Sequence, residues 1–440
     1  MVATVTPMIR PLLLTAALLA TTAPARASLR PAETRMRTAT EAEATRDAAL
    51  LERLVMQNSG TLNLPGVTKV GEMMRTELTA LGFAVRWADM RATGRAGHLI
   101  ATHKGNGRGK RVLMIGHLDT VFEPDSRFTG FRRDGDRAIG PGVGDDKGGL
   151  TVIIAALRAM QAAGTLKNAD IMVVLTGDEE RTGKPLSTSR ADLVAAGKWA
   201  DVALEYEGLA VTPQGDAGTI ARRGATDWEL ETTGVPGHSG GVFGADLGYG
   251  ANYELARILD TFRRDLPEAN LTYNVGVMAG GTPAGFAAEG FAATASGKTN
   301  IVAERAVARG DLRALTPEQE ARVRAKMQAI VAQHLPKTGA TLTFADGYPP
   351  MAPTPGNRAL LGRLNIVNRD LGLPDMPEYD PAKRGAADSS FVAAEADTIG
   401  GMGPAGGGAH AEGEWVDLPS IQRQALRSAI QISRLAVERR

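Results

Sequence analysis

His117 and Asp119 lie in Gly116-His117-Leu118-Asp119-Thr120, directly after the apolar run Val112 to Ile115. Further on come Asp145-Asp146-Lys147-Gly148-Gly149 and then Asp178-Glu179-Glu180, the latter closing a second apolar run, Ile171 to Leu175. Imidazole and carboxylate groups gathered at the ends of apolar runs suit a zinc-type centre better than a packed core. The chain has no cysteine. Thiol nucleophiles, cysteine-zinc sites and disulfides are therefore excluded, and any metal must be held by His, Asp and Glu.

The spacing divides the work. In extended backbone, residues two apart point the same way, so Asp119 can hydrogen-bond the far nitrogen of His117 and fix its tautomer. Taken alone, the pair reads better as a strand-end histidine satisfied by a local aspartate. Asp145 and Asp146 follow the glycine-rich stretch 140–144, where backbone freedom lets one carboxylate bridge two cations while the other turns away. A phosphate cradle fits poorly, because the Walker spacing is absent and two acids repel phosphate. Adjacent Glu179 and Glu180 point apart, so one can bind metal and the other act as general base. Glu207, after Tyr206, and His410, in a glycine-rich loop, complete a candidate set. Two histidines, a bridging aspartate and further carboxylates make a natural shell for two zinc ions about 3.5 to 4 Å apart.

These residues need a frame. Thr40 to Leu81 reads as mostly helical, Phe83 to Trp87 and His98 to Thr102 as short strands, and Arg111 to Ile115 as a buried strand. Leu150 to Ala163 has the spacing of an amphipathic helix. Ile171 to Leu175 and Val202 to Tyr206 are two more buried strands. Alternating strands and helices predict an α/β fold: a mostly parallel sheet with helices on both faces. Ligands of such sheets collect at the carboxyl ends of strands, where these motifs fall. From about residue 224 to 346 the texture turns antiparallel. Thr226 to Thr232 and Arg305 to Leu312 alternate, Asn252 to Leu266 and Pro317 to Gln333 are helical, and together they predict a smaller α+β unit. Residues 28–223 and 347–440 then form the two parts of the larger domain.

The composition is that of a soluble globular chain of 440 residues, with 43% hydrophobic and 22% charged residues. A net charge of +1 gives no electrostatic case for nucleic acid or a membrane surface. Residues 1–27 read as an export signal: Arg10, an apolar run from Leu12 to Ala20, and an Ala25-Arg26-Ala27 cleavage site. The run is well short of the ~20 residues a membrane span needs. The expectation is a periplasmic or secreted protein with no stable membrane insertion once the signal is removed.

Together, His117-x-Asp119-x-Val121, Gly140-Pro141-Gly142-x-x-Asp145-Asp146-Lys147-Gly148-Gly149, Asp178-Glu179-Glu180 and Tyr206-Glu207 resemble the motifs of the co-catalytic dizinc peptidase and aminoacylase family. Glutamate carboxypeptidases, acetylornithine deacetylases and succinyl-diaminopimelate desuccinylases belong to it, and the first group is the most similar. The resemblance implies a catalytic domain interrupted by a lid and dimerisation domain, and two zinc ions, with cobalt or manganese as substitutes. It implies that Asp145 bridges the ions, that His117 and Glu207 hold one, and that Glu180 and His410 hold the other. Asp119 would support His117, and Glu179 would be the general base. Gly234-Val235-Pro236-Gly237-His238 resembles the segment whose histidine reaches a partner subunit to steady the oxyanion, which implies a homodimer. Asn300 and Arg313 fall in stretches resembling those that grip a substrate carboxylate. After His238 the usual proline is missing and the segment up to Asn252 is longer.

The substrate expected on this resemblance is a peptide or N-acyl amino acid with a free carboxylate, with release of C-terminal glutamate foremost. A deacylase or dipeptidase of the same family is the alternative. Gly237-His238-Ser239-Gly240-Gly241 also matches a serine-hydrolase elbow, but the helix an elbow requires does not follow. A binding protein with a dead metal site would show lost ligands, and none of the candidates is missing. His98, His103 and His334 read as ordinary structural residues, and Arg222-Arg223 as a solvated pair, either member of which could instead face the cleft.

Overall fold

The computed structural model describes residues 1–3, 29–287 and 291–440. The expected export signal, from Arg10 through Ala27, lies outside the described residues.

In chain order the main elements are α1 (Pro31–Met56), α2 (Leu64–Ala80), β1 (Ala84–Asp89), β2 (Gly97–His103), β3 (Val112–His117), α3 (Lys147–Ala162), β4 (Ile171–Thr176), α4 (Ala191–Trp199) and β5 (Val202–Glu205). Then follow β6 (Ala225–Gly234), α5 (Ala251–Asp265), β7 (Arg305–Arg313), α6 (Pro317–Val331), β8 (Thr338–Tyr348), α7 (Pro355–Leu371), β9 (Asp397–Ile399) and α8 (Leu418–Leu435). The helical stretch expected from Thr40 to Leu81 is two helices. Asn63 caps the second, accepting from the Gly66 N–H at 3.2 Å, with Pro65 in its first turn.

The larger sheet has the strand order β1-β2-β4-β3-β5-β9. The β4-β3, β3-β5 and β5-β9 ladders are parallel, while β1 and β2 form an antiparallel edge. All six residues of β3 are buried, and their alternation explains the layers. Val112 and Met114 point into the core that includes α1, α3 and α8, whereas Leu113 and Ile115 point into the one lined by Leu193 and Ala196 of α4. Helices on both faces thus follow from a strand that is apolar at every position.

The smaller sheet is antiparallel, with β6 between β7 and β8, and Thr272–Tyr273 and Val277–Gly281 adding to β7. Every second residue from Thr226 to Thr232 is buried, and Trp228 and Leu230 pack against Leu255, Ile258 and Phe262 of α5 and Val323 and Met327 of α6. The sequence pattern predicts two strands here, and the structure adds a third, β8, eleven residues long. Its side chains are mostly half-exposed, which dilutes the apolar alternation on which strand reading depends. The expected helix from Pro317 ends at Val331, so His334 lies beyond it. Among the described residues no helix is long and apolar enough to cross a membrane.

Topology decides what meets at the site. Because β3 is flanked by β4 and β5, His117 pairs with Thr176 and Ile115 with Glu205. The segments carrying His117, Asp178 to Glu180 and Glu207 therefore leave the sheet at the same end, the carboxyl end of these parallel strands.

Candidate metal centre

His117 ends β3 and is buried. Its Nε2 lies 2.9 Å from Oδ1 of Asp145, and its Nδ1 faces Asp119 through the backbone carbonyl at 3.1 Å and Oδ1 at 3.4 Å. The Asp119 carboxylate also accepts the Glu179 N–H at 3.0 Å, the Glu180 N–H at 3.1 Å and the Thr61 hydroxyl at 2.7 Å. One buried side chain thus ties the end of β3 to the backbone of both glutamates.

Asp145 divides its oxygens: Oδ1 faces His117, and Oδ2 lies 3.1 Å from Nε2 of His410. Asp146 turns the other way, accepting the His117 N–H at 3.1 Å through Oδ2, with Oδ1 buried and unpartnered. The loop before them is shaped from a distance. Glu414, buried, accepts the N–H groups of Gly142 at 3.0 Å, Gly144 at 2.7 Å and Asp145 at 2.9 Å. Gly142 has φ +70°, and a Cβ there would sit 2.3 Å from Cγ2 of Thr120, so only glycine fits.

Oε2 of Glu180 lies 3.1 Å from Nε2 of His410, while Oε1 is buried without a partner. His410 has φ +64° in the loop between Gly407 and Trp415 and is more than half exposed. Glu179 is held by its backbone, the carbonyl accepting the Tyr348 hydroxyl at 2.7 Å. One oxygen or nitrogen from each of His117, Glu179 and Glu207 falls within 4.8 Å of the others, and the same is true of His117, Asp145 and Glu180. Glu207 accepts from Arg222 at 2.9 Å, and the same guanidinium grips both oxygens of Glu205 at 3.0 and 2.9 Å. Arg222 is fully buried, so the reading of Arg222-Arg223 as a solvated pair fails for Arg222. Half-buried Arg223 donates to Thr272 and to the carbonyl of Ala382.

The electrostatics ask for cations. Burial pushes Glu179 well above the usual carboxylate range, and neighbouring Glu207 adds to it. Glu207 is pushed up to about 8 by burial, against the pull of Arg222. Hydrogen bonds to Asp145 and Glu180 raise His410 to about 11. Burial likewise lifts Glu414 to about 7. Carboxylates crowded out of water around two imidazoles, with a buried Glu180 oxygen left unpaired, are the surroundings that divalent cations relieve. The oxygen and nitrogen donors suit zinc.

His238, Asn300 and Arg313 lie on the smaller unit. His238 is exposed, pairs in a short bridge with Ile301, and accepts the Gly240 N–H at 3.1 Å through Nδ1. The Asn300 carbonyl accepts from the Ser239 N–H at 2.9 Å, which sets these residues side by side. Arg313 ends β7 and pairs with Asp311 at 2.7 Å. Among the described residues no hydrogen bond or ion pair joins these three to the five metal-ligand candidates. Ser239 begins a single 3-10 turn, and α5 starts only at Ala251, so the strand-turn-helix of a serine elbow is absent. His98 is buried between the Ser189 carbonyl and the Gly177 N–H, an ordinary structural histidine. Glu414 and Tyr348 carry no local sequence signal, each being distant along the chain from the groups it holds, while Arg222 is only 15 residues from Glu207 and its pairing depends on burial that the sequence does not show.

Comparison with known proteins agrees with this geometry. Residues 113–431 match the model of peptidase family M20/M25/M40. Carboxypeptidase G2 of Pseudomonas sp. (strain RS-16) is 27% identical over 386 residues, 86% of each chain. Among solved structures, aminopeptidase PepT from Bacillus cereus superposes with a TM-score of 0.69 at 18% identity, covering 89% of this chain and 99% of that one. A dinuclear metal binding peptidase from Bacillus subtilis superposes with a TM-score of 0.61 at 14% identity, covering 89% and 98%. The chain belongs to peptidase family M20/M25/M40, a hydrolase of amide bonds whose clustered donors fit the two zinc ions that enzymes of this family use.

Proposed function

We propose that this protein cleaves the amide bond of a peptide or N-acyl amino acid next to a free carboxylate, with release of C-terminal glutamate as the leading reaction. The observation that carries the reading is the division of Asp145, each of whose oxygens faces a different imidazole. His117, Asp145 and Glu207 would hold one zinc ion, and Asp145, Glu180 and His410 the other; bound there, the ions would supply an acidified water and a polarised scissile carbonyl. Glu179, half-buried and with no side-chain hydrogen bond among the described residues, takes the proton of the attacking water and returns it to the leaving amine. Asp119 fixes the His117 ring and the Glu179 backbone together. His238 of a second copy steadies the oxyanion, in keeping with its exposure, and Asn300 and Arg313 grip the substrate carboxylate.

The similarity to carboxypeptidase G2 supports cleavage next to a free C-terminal carboxylate, and the motif resemblance to glutamate carboxypeptidases puts glutamate first. The test is a panel of N-acyl amino acids and dipeptides on zinc-replete protein, with N-acyl glutamate turned over fastest. Turnover confined to dipeptides would move the assignment to a dipeptidase, and none at all would remove it. Light scattering should give a dimer. The mature protein recovered from the cell envelope or medium should begin near Ser28.

A further inference from the structure

Arg384 follows a short 3-10 turn, Pro381–Lys383. Three contacts pin that loop. The Asp380 carboxylate accepts the Ala382 N–H at 2.9 Å, Arg223 donates to the Ala382 carbonyl at 3.1 Å, and Arg222 donates to the Gly385 carbonyl at 2.9 Å. The Arg384 side chain turns towards the carboxyl end of β5, where Nη2 donates to the carbonyl of Gly208, next to Glu207, at 2.6 Å. Gly401 lies against it: a Cβ there would be 3.6 Å from Nη2.

Arg384 is half-buried, whereas among the described residues the fully buried arginines are all paired with carboxylates. Arg158 meets Asp47 and Glu77, Arg190 meets Asp178 and Asp388, Arg222 meets Glu205 and Glu207, and Arg427 meets Asp216. Arg384 makes one hydrogen bond, to a neutral carbonyl, and its Nε is buried with no partner. Burial and neighbouring Arg222 hold its pKa below the usual arginine range, against the pull of Glu207, Glu205 and Asp145. A half-buried guanidinium with carboxylates nearby but none hydrogen-bonded to it has an unfilled fork, and a planar carboxylate is the ligand that fork fits.

We propose that Arg384 is a substrate-binding residue whose guanidinium pairs with a carboxylate of the leaving amino acid, entering beside Glu207 and Gly208. The proposal rests on the amidohydrolase reading above. Two carboxylates of a leaving glutamate share this chemistry, the one on its main chain and the one on its side chain.

The experiment compares zinc-loaded wild type, Arg384→Met and Arg384→Lys on an N-acyl glutamate, the N-acyl glutamine and the N-acyl glutamate α-amide. Arg384→Met should raise KM for the glutamate substrate about tenfold or more, the loss expected for a charge-assisted pair, with zinc content unchanged. Whichever amide lacks the paired carboxylate should lose little further, which identifies the carboxylate, and Arg384→Lys should recover part of the loss. An unchanged KM, or an equal loss on all three substrates, overturns the proposal. If the wild type cleaves none of them, the functional reading fails by itself. Arg384 is then judged by calorimetry with free glutamate on the zinc-loaded protein. Binding weakened about tenfold or more in Arg384→Met supports the proposal; equal or absent binding overturns it.

Discussion

The hydroxyl of Tyr348 donates to the backbone carbonyl of Glu179 at 2.7 Å. Tyr348 is the last residue of β8, so the strand that closes the smaller unit ends against the backbone of Glu179, the residue proposed as general base. Arg190 completes the joint, donating to the Tyr348 oxygen at 3.2 Å and to Asp178 at 2.6 Å. Tyr348→Phe keeps the ring and removes the bond. It should lower kcat about tenfold while zinc content stays at the wild-type level, the pattern of a positioning residue. Steady-state kinetics with metal analysis checks this, and an unchanged kcat would remove Tyr348 from the account.

Glu179→Ala separates base from ligand. If Glu179 moves the proton and does not hold metal, the variant should bind zinc normally and lose about 10²- to 10⁴-fold in kcat, the usual worth of a positioned acid-base group. Loss of one zinc ion per chain would make Glu179 a ligand, and full activity would end its role.

Arg222→Met tests the support beneath Glu207. The substitution strands Glu205 and Glu207 without their shared cation, both in the interior. Breaking such a buried pair costs about 3 to 5 kcal/mol. Burial would then favour protonated Glu205, whose carboxyl Arg222 and Arg384 now hold below the usual range despite burial. The deficit should therefore be smallest at acid pH and grow as pH rises. Chemical denaturation of wild type and variant across pH 5 to 8 measures it, and a deficit independent of pH would contradict the assignment.

Metal uptake should depend on pH in a defined direction. Without metal, the His410 imidazole is held protonated by Asp145 and Glu180, its pKa raised from an ordinary 6.5 to about 11. A raised base stabilises the folded apoprotein fully below its unfolded pKa, and that contribution fades as pH climbs towards 11. Zinc must displace the proton, so affinity should rise by about tenfold per pH unit for each proton released between pH 6 and 8. Competition with a chelator reads the slope; a flat profile would exclude His410 as a ligand.

How much of this was legible follows from how far each signal travels along the chain. His117, Glu179 and Glu180 stand beside apolar runs that announce buried strands, and parallel pairing of β3 and β4 brings their ends together, while Asp145 is marked by the glycine-rich stretch that leads into α3. The larger sheet was legible for the same reason, since β3, β4 and β5 are apolar almost throughout. Asp119 was legible only as a neighbour of His117. Its hold on the Glu179 and Glu180 amides needs β4 placed beside β3. Glu414 serves a loop some 270 residues earlier, and nothing local marks it as other than a surface acid. Arg222 looked solvated because charge pairs usually are, and only the fold sets two buried glutamates beside it.

Diffraction at the zinc absorption edge, on crystals grown with zinc, tests the central claim most directly. Two anomalous peaks per chain, one beside each Asp145 oxygen, are the predicted result. A single peak, or peaks remote from Asp145, would contradict it.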